Sequence, residues 1–100
     1  MEERRRFPRR AVDGQFAIVP ATCRVRVLDI SVGGVLLHAS RPVGIGVRGA
    51  LRLTLGGTLF DADIQVWRVT RDVVAAGYRI GASFVAVTPE HRQLIERFAQ

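Results

Sequence analysis

The sequence contains no lysine: all fifteen basic residues among its 100 are arginine. It has a single cysteine, Cys23, which excludes an internal disulfide framework and any multi-thiolate metal cluster. Its longest uncharged run, Ile30 to Ser40, is short and broken by glycine, so it cannot cross a bilayer as a helix. The two histidines, His38 and His91, lie far apart and no nucleophile elbow or phosphate-binding loop accompanies them, so no enzymatic activity and no metal site are expected. Aromatic residues are also scarce, and only Trp67 and Tyr78 could form a stacking platform. That argues against a nucleic-acid-binding barrel, which needs several such rings. An arginine block with no apolar stretch behind it is not a secretory signal, and a cytoplasmic location without a membrane span is the expectation.

What is present is a globular composition, 48% hydrophobic and 24% charged, in one domain's length of chain. The net charge of +6 is unevenly placed. Residues 1–10 carry Arg4, Arg5, Arg6, Arg9 and Arg10 against Glu2 and Glu3, a net +3, half of the total in a tenth of the chain. Arginine's planar fork suits phosphate oxygens and the Hoogsteen edge of guanine, although a basic segment by itself is equally compatible with a solvated tail.

Beyond this arm the pattern is short period-two runs separated by glycine-rich turns, which predicts strands. They are expected over Gln15–Val19, Thr22–Ile30, Val35–His38, Arg48–Leu55, Thr58–Thr70 and Gly77–Val85, with Gly56-Gly57 as a hairpin turn. In the second run Cys23, Val25 and Val27 share one face, opposite Arg24, Arg26 and Leu28. Asp61 and Asp63 share a solvated face of the long strand, with Arg52 as a cross-strand partner, rather than forming a metal site. The period then changes: Thr88 is an N-cap, Pro89 fits the first helical position, and Leu94, Ile95 and Phe98 make the apolar stripe of a helix over about 89–98. The expected fold is all-β: a six-stranded antiparallel barrel with one C-terminal α-helix over residues 11–100, behind a flexible basic arm over 1–10.

Two segments carry chemistry. One is the arm, in which Pro8 stiffens the chain and Phe7 can anchor it. The other is the turn Asp29-Ile30-Ser31-Val32-Gly33-Gly34: its carboxylate can accept from a base's N–H edge, its hydroxyl can bond phosphate, and its glycines admit a ligand to the backbone. Asp, Ser and Gly also dominate ordinary turns.

Arg5-x-x-x-Arg9 followed about twenty residues later by Asp29-x-Ser31-x-x-Gly34 resembles the paired signature of the PilZ domain family, which binds the bacterial second messenger cyclic di-GMP. The segment Tyr78-Arg79-Ile80-Gly81-Ala82-Ser83-Phe84 resembles that family's last strand, so the likeness spans essentially the whole chain. The resemblance implies that Arg5 and Arg9 clamp guanine and phosphate, with Arg6 and Arg10 as the alternative register. It implies that Asp29 takes the guanine N–H edge, Ser31 a phosphate oxygen, and that Gly33 and Gly34 leave room for the ligand. Arg4, just before the motif, implies an intercalated ligand dimer, two molecules per chain. Gly81 is a further candidate for the ligand site, and Trp67 either stacks on guanine or packs under the helix, with packing favoured. With no cofactor and no output domain, such a chain is expected to act as a receptor on an unknown protein effector. The alternatives are a non-binding interaction module of the same fold, or a small basic nucleic-acid-binding barrel.

Overall fold

Alternating Leu51, Leu53 and Leu55 with Arg52 and Thr54 gives a strand one apolar face, and that face is buried throughout. The same rule, applied six times, builds the fold. The structure, a computed structural model, describes residues 12–18 and 21–99. Its elements are β1 (Val12–Ile18), β2 (Ala21–Ile30), β3 (Gly34–Ala39), β4 (Arg48–Leu55), β5 (Thr58–Arg71), β6 (Tyr78–Ala86) and α1 (Pro89–Ala99). All strand pairs are antiparallel, and they close a barrel in the order β1-β2-β3-β6-β5-β4, with β4 paired back to β1. The six-stranded barrel and its single helix match the sequence expectation.

The first strand begins three residues earlier than the expected Gln15, because Val12, Asp13 and Gly14 pair with Val27, Arg26 and Val25 of β2. The expected end at Val19 and the arm over 1–10, with Arg4, Arg5, Arg6, Arg9 and Arg10, lie outside the described residues. Gly56 and Gly57 turn β4 into β5 with φ of 55° and 86°, values that suit glycine and a primed hairpin turn. Arg52 Nε donates to Asp61 Oδ1 at 2.9 Å across that hairpin, as the pattern predicted.

The interior is filled by Phe16, Leu37, Leu51, Leu55, Phe60, Ile64, Ile80 and Ile95, all fully buried, and no polar or charged residue is buried among the described residues. Cys23 is a partly buried member of this packing, its Sγ 3.6 Å from the Phe16 carbonyl oxygen. The helix closes the barrel through Ile95, with Leu94 and Phe98 packed against the core. Thr88 caps it, its Oγ1 accepting from the His91 N–H at 3.2 Å, and the His91 ring lies 4.9 Å from that of Phe60. No helix among the described residues is long and apolar enough to cross a membrane.

Candidate functional site

Strict alternation along β2 would turn Asp29 inward, on the face of Val25 and Val27. It does not point there. Val27 pairs with Leu37 and Asp29 with Leu36, so Leu28 is an extra residue at a bulge. The bulge shifts the phase: Asp29 is exposed and Ile30 takes the buried place. Leu28, expected on the outer face with Arg24 and Arg26, is instead half-buried at the bulge. A second bulge works the same way in β5, where Val66 pairs with Ala82 and Arg68 with Gly81. Trp67 is the extra residue, so Trp67 and Arg68 are both exposed before Val69 turns back toward the core.

These two bulges frame a surface pocket of about 360 Å³. Asp29, Ser31, Gly33 and Gly34 line it from the turn between β2 and β3, with Leu36, Ala82 and Trp67 on its other walls. The turn is held by its own backbone, Ser31 N–H to Gly34 O at 2.9 Å and Gly34 N–H to Ser31 O at 3.3 Å, and is tied to β6 by Phe84 N–H to Gly33 O at 3.2 Å. Among the described residues, no hydrogen bond or ion pair engages the Asp29 carboxylate. A charged acceptor left free beside a turn is available to a donor edge from outside.

The two glycines of the turn differ. A Cβ on Gly34 would overlap the Ala82 carbonyl oxygen and stand 3.1 Å from Ser83 Cα, so the approach of β6 already requires glycine there. A Cβ on Gly33 would meet nothing within 4 Å. Of the two, only Gly33 is bare without a demand from its own fold.

Trp67 corrects an expectation. The preferred place for it was under the helix, but it is 59% exposed on the outer wall and lines the same pocket as Asp29. The physical reason is alternation: Trp67 shares the outer face of β5 with Asp61, Asp63 and Gln65, while the helix packs on the core through Ile95, Leu94 and Phe98. Leu36 and Ala82, which the sequence did not single out, line the pocket because they flank the turn in β3 and β6. Gly81 is buried beside Trp67 rather than open to the pocket.

A second polar cluster lies where β5 turns into β6. Asp72 Oδ1 accepts from the N–H groups of Ala75 at 3.0 Å and Val74 at 3.1 Å. Its Oδ2 lies 3.7 Å from Arg79 Nε and 3.8 Å from His38 Nε2. These groups, the Ala75 N–H foremost, hold the carboxyl below its ordinary 3.8, against a smaller opposing effect of burial. His38 also reaches the Ala76 carbonyl oxygen at 2.6 Å. Arg79 Nε is buried with no hydrogen-bond partner. The loop so fastened presents Val73 and Val74 almost fully to solvent. Among the described residues no group of three His, Cys, Asp or Glu side chains could hold a metal ion.

The PilZ domain family model matches residues 3–100, and the chain belongs to that family. Among solved structures it is similar to the PilZ domain with c-di-GMP of YcgR from Escherichia coli, at 22% identity and a TM-score of 0.79, over 97% of this chain and 89% of that one. It is also similar to the Bacillus subtilis inhibitor of motility (MotI/DgrA), at 15% identity and a TM-score of 0.82, over 98% of this chain. A third likeness is to YcgR in complex with c-di-GMP, at 22% identity and a TM-score of 0.74, over 95% of this chain. This chain spans 50% of the length of the second protein and 44% of the third. At these identities the likeness is one of fold. No curated protein matches the sequence.

Proposed function

We propose that this chain is a cyclic di-GMP receptor whose binding site joins the arginine arm to the pocket on the barrel wall. The observation that carries the reading is the pocket itself: Asp29, Ser31, Gly33 and Trp67 line one cavity, and the Asp29 carboxylate has no partner among the described residues. Membership of the PilZ family and the fold shared with a cyclic di-GMP-bound domain support it.

In this reading Asp29 accepts from the N–H edge of a guanine, Ser31 bonds a phosphate oxygen, and Gly33 allows the ligand close to the turn. Trp67 offers a stacking face from the opposite side of the pocket. Arg5 and Arg9 supply paired, charge-assisted contacts to guanine and phosphate, with Arg6 and Arg10 the alternative register, and Arg4 serves a second, intercalated ligand. The ligand's phosphates neutralise the arm and fold it onto the barrel, changing the surface that a protein effector meets. Fixing each arm residue costs about 1–2 kcal/mol, which sets the expected affinity near micromolar, about 8 kcal/mol net.

Calorimetric titration with cyclic di-GMP tests this, beside an Arg5→Ala, Arg9→Ala double variant. Saturable micromolar binding that the variant loses supports the receptor, and a stoichiometry near two supports the role of Arg4. No heat from a folded protein would overturn the reading in favour of a non-binding interaction module.

A further inference from the structure

Register places Asp29, Leu36, Gly81 and Arg68 in one row across four neighbouring strands, Asp29 opposite Leu36, Leu36 opposite Gly81, and Gly81 opposite Arg68. A side chain at position 81 would fill the gap in that row between Leu36 and Arg68. There is none, and the gap is occupied from the side. A Cβ built on Gly81 would stand 3.3 Å from both Cε2 and Cζ2 of Trp67 and 3.5 Å from Cβ of Arg68. The indole therefore lies over the β6 backbone at Gly81, closer than a methyl group there would comfortably allow. From this place it lines the pocket whose far side is Asp29.

We infer that Gly81 is a positioning residue: its missing side chain is the seat that holds the Trp67 indole against β6 and so sets the wall of the ligand pocket before any ligand arrives. Two features have to coincide for this. Alternation along β5 sets Trp67 outward and the bulge after Val66 leaves it outside the pairing with β6, and the bare backbone opposite lets its ring lie down instead of standing free in solvent. A ring held in place loses less freedom when a base stacks on it, so the seat improves binding without touching the ligand. Gly81 is itself buried, which separates this role from direct ligand contact. The effect on ligand binding rests on the receptor reading above; the placement of the indole does not.

Trp67 is the only tryptophan of the chain, so intrinsic fluorescence reports its surroundings alone. Acrylamide quenching and the emission maximum of the ligand-free protein are measured for wild type, Gly81→Ala and Gly81→Val, with circular dichroism to establish that each is folded. The expected result is a red shift and stronger quenching, graded from Ala to Val, as the ring is pushed into solvent. Unchanged emission and quenching in a folded Gly81→Val protein would overturn the inference. If Gly81→Val does not fold, Gly81→Ala decides, since its methyl needs only a slight shift of a half-exposed ring. For cyclic di-GMP, Gly81→Val and Trp67→Ala are each expected to weaken binding roughly tenfold, the worth of one base–aromatic stack. The double variant is expected to be no weaker than either alone, because both remove one interaction. Additive losses would show that Gly81 acts by another route. Graded displacement of the indole in a chain that binds no cyclic di-GMP would leave the seat standing and remove the receptor reading.

Discussion

Asp29 and Asp72 each precede a turn on this barrel, and they have opposite fates. Asp72 is consumed by its own loop: one oxygen takes two backbone N–H groups, the other faces Arg79 and His38, and the side chain is only 13% exposed. Asp29 is exposed and unengaged among the described residues, because the bulge at Leu28 turns it away from the interior. One aspartate is a staple that fastens the chain to itself. The other is an open acceptor. The residue type is the same, so the difference comes from position: Asp29 ends a strand just past a bulge, whereas Asp72 stands inside a loop whose N–H groups it caps.

Substitutions can break or sharpen that division. The largest effect is expected at Gly34, on the fold side of it. Gly34→Ala drives a methyl into the Ala82 carbonyl and should cost about 3 kcal/mol or more in chemical denaturation. Next is Asp29→Ala, which should weaken cyclic di-GMP about tenfold to a hundredfold, the range for a charged hydrogen bond, with no change in melting temperature. A fall in melting temperature there would mean that Asp29 is also a staple.

Asp72→Ala should do the reverse, lowering the melting temperature at neutral pH while leaving the ligand titration as in wild type. Its carboxyl is held below the ordinary 3.8, so its contribution is full above that value and is lost as pH falls through the depressed one. The gap between wild type and Asp72→Ala should therefore close in melts below pH 3.8, and a gap that persists in acid would refute the role given to its charge. The smallest effect belongs to Gly33→Ala, within about 0.5 kcal/mol in stability since nothing stands near its missing Cβ, so any loss of ligand affinity would be a steric effect of the site alone.

Much of this was legible in the residues. The alternation of Leu51, Leu53 and Leu55, the Gly56-Gly57 turn, the Thr88 cap and the Arg52–Asp61 pair are local or one-hairpin properties, and each appears where its pattern puts it. Asp29, Ser31, Gly33 and Gly34 were legible as a cluster because they share one turn. The bulges were missed, although a trace of them is present. Buried positions fall on odd numbers at Val25 and Val27 but on an even one at Ile30, and the inward set Phe60, Ala62, Ile64 and Val66 gives way to Val69. Such a change of parity shows that a strand slips phase, but it does not say which partner strand absorbs the slip. Arg68 is the residue that this slip turns outward; Trp67 was misplaced because alternation gives its face but not the neighbour it packs on. The pairing of His38 with Ala76 was invisible for another reason: 38 residues separate them, and only the pairing of β3 with β6 brings them together.

The filled interior has one more consequence. With Phe16, Leu37, Phe60 and Ile80 wholly enclosed and every strand paired on both sides, the barrel has no slack to give up when something lands on its outer wall. A molecule docking between Asp29 and Trp67 changes the outline of this protein, not its fold. On the receptor reading, a partner able to tell the two states apart would read a composite outer face, part refolded arm and part nucleotide, with the small molecule serving as a removable piece of the surface.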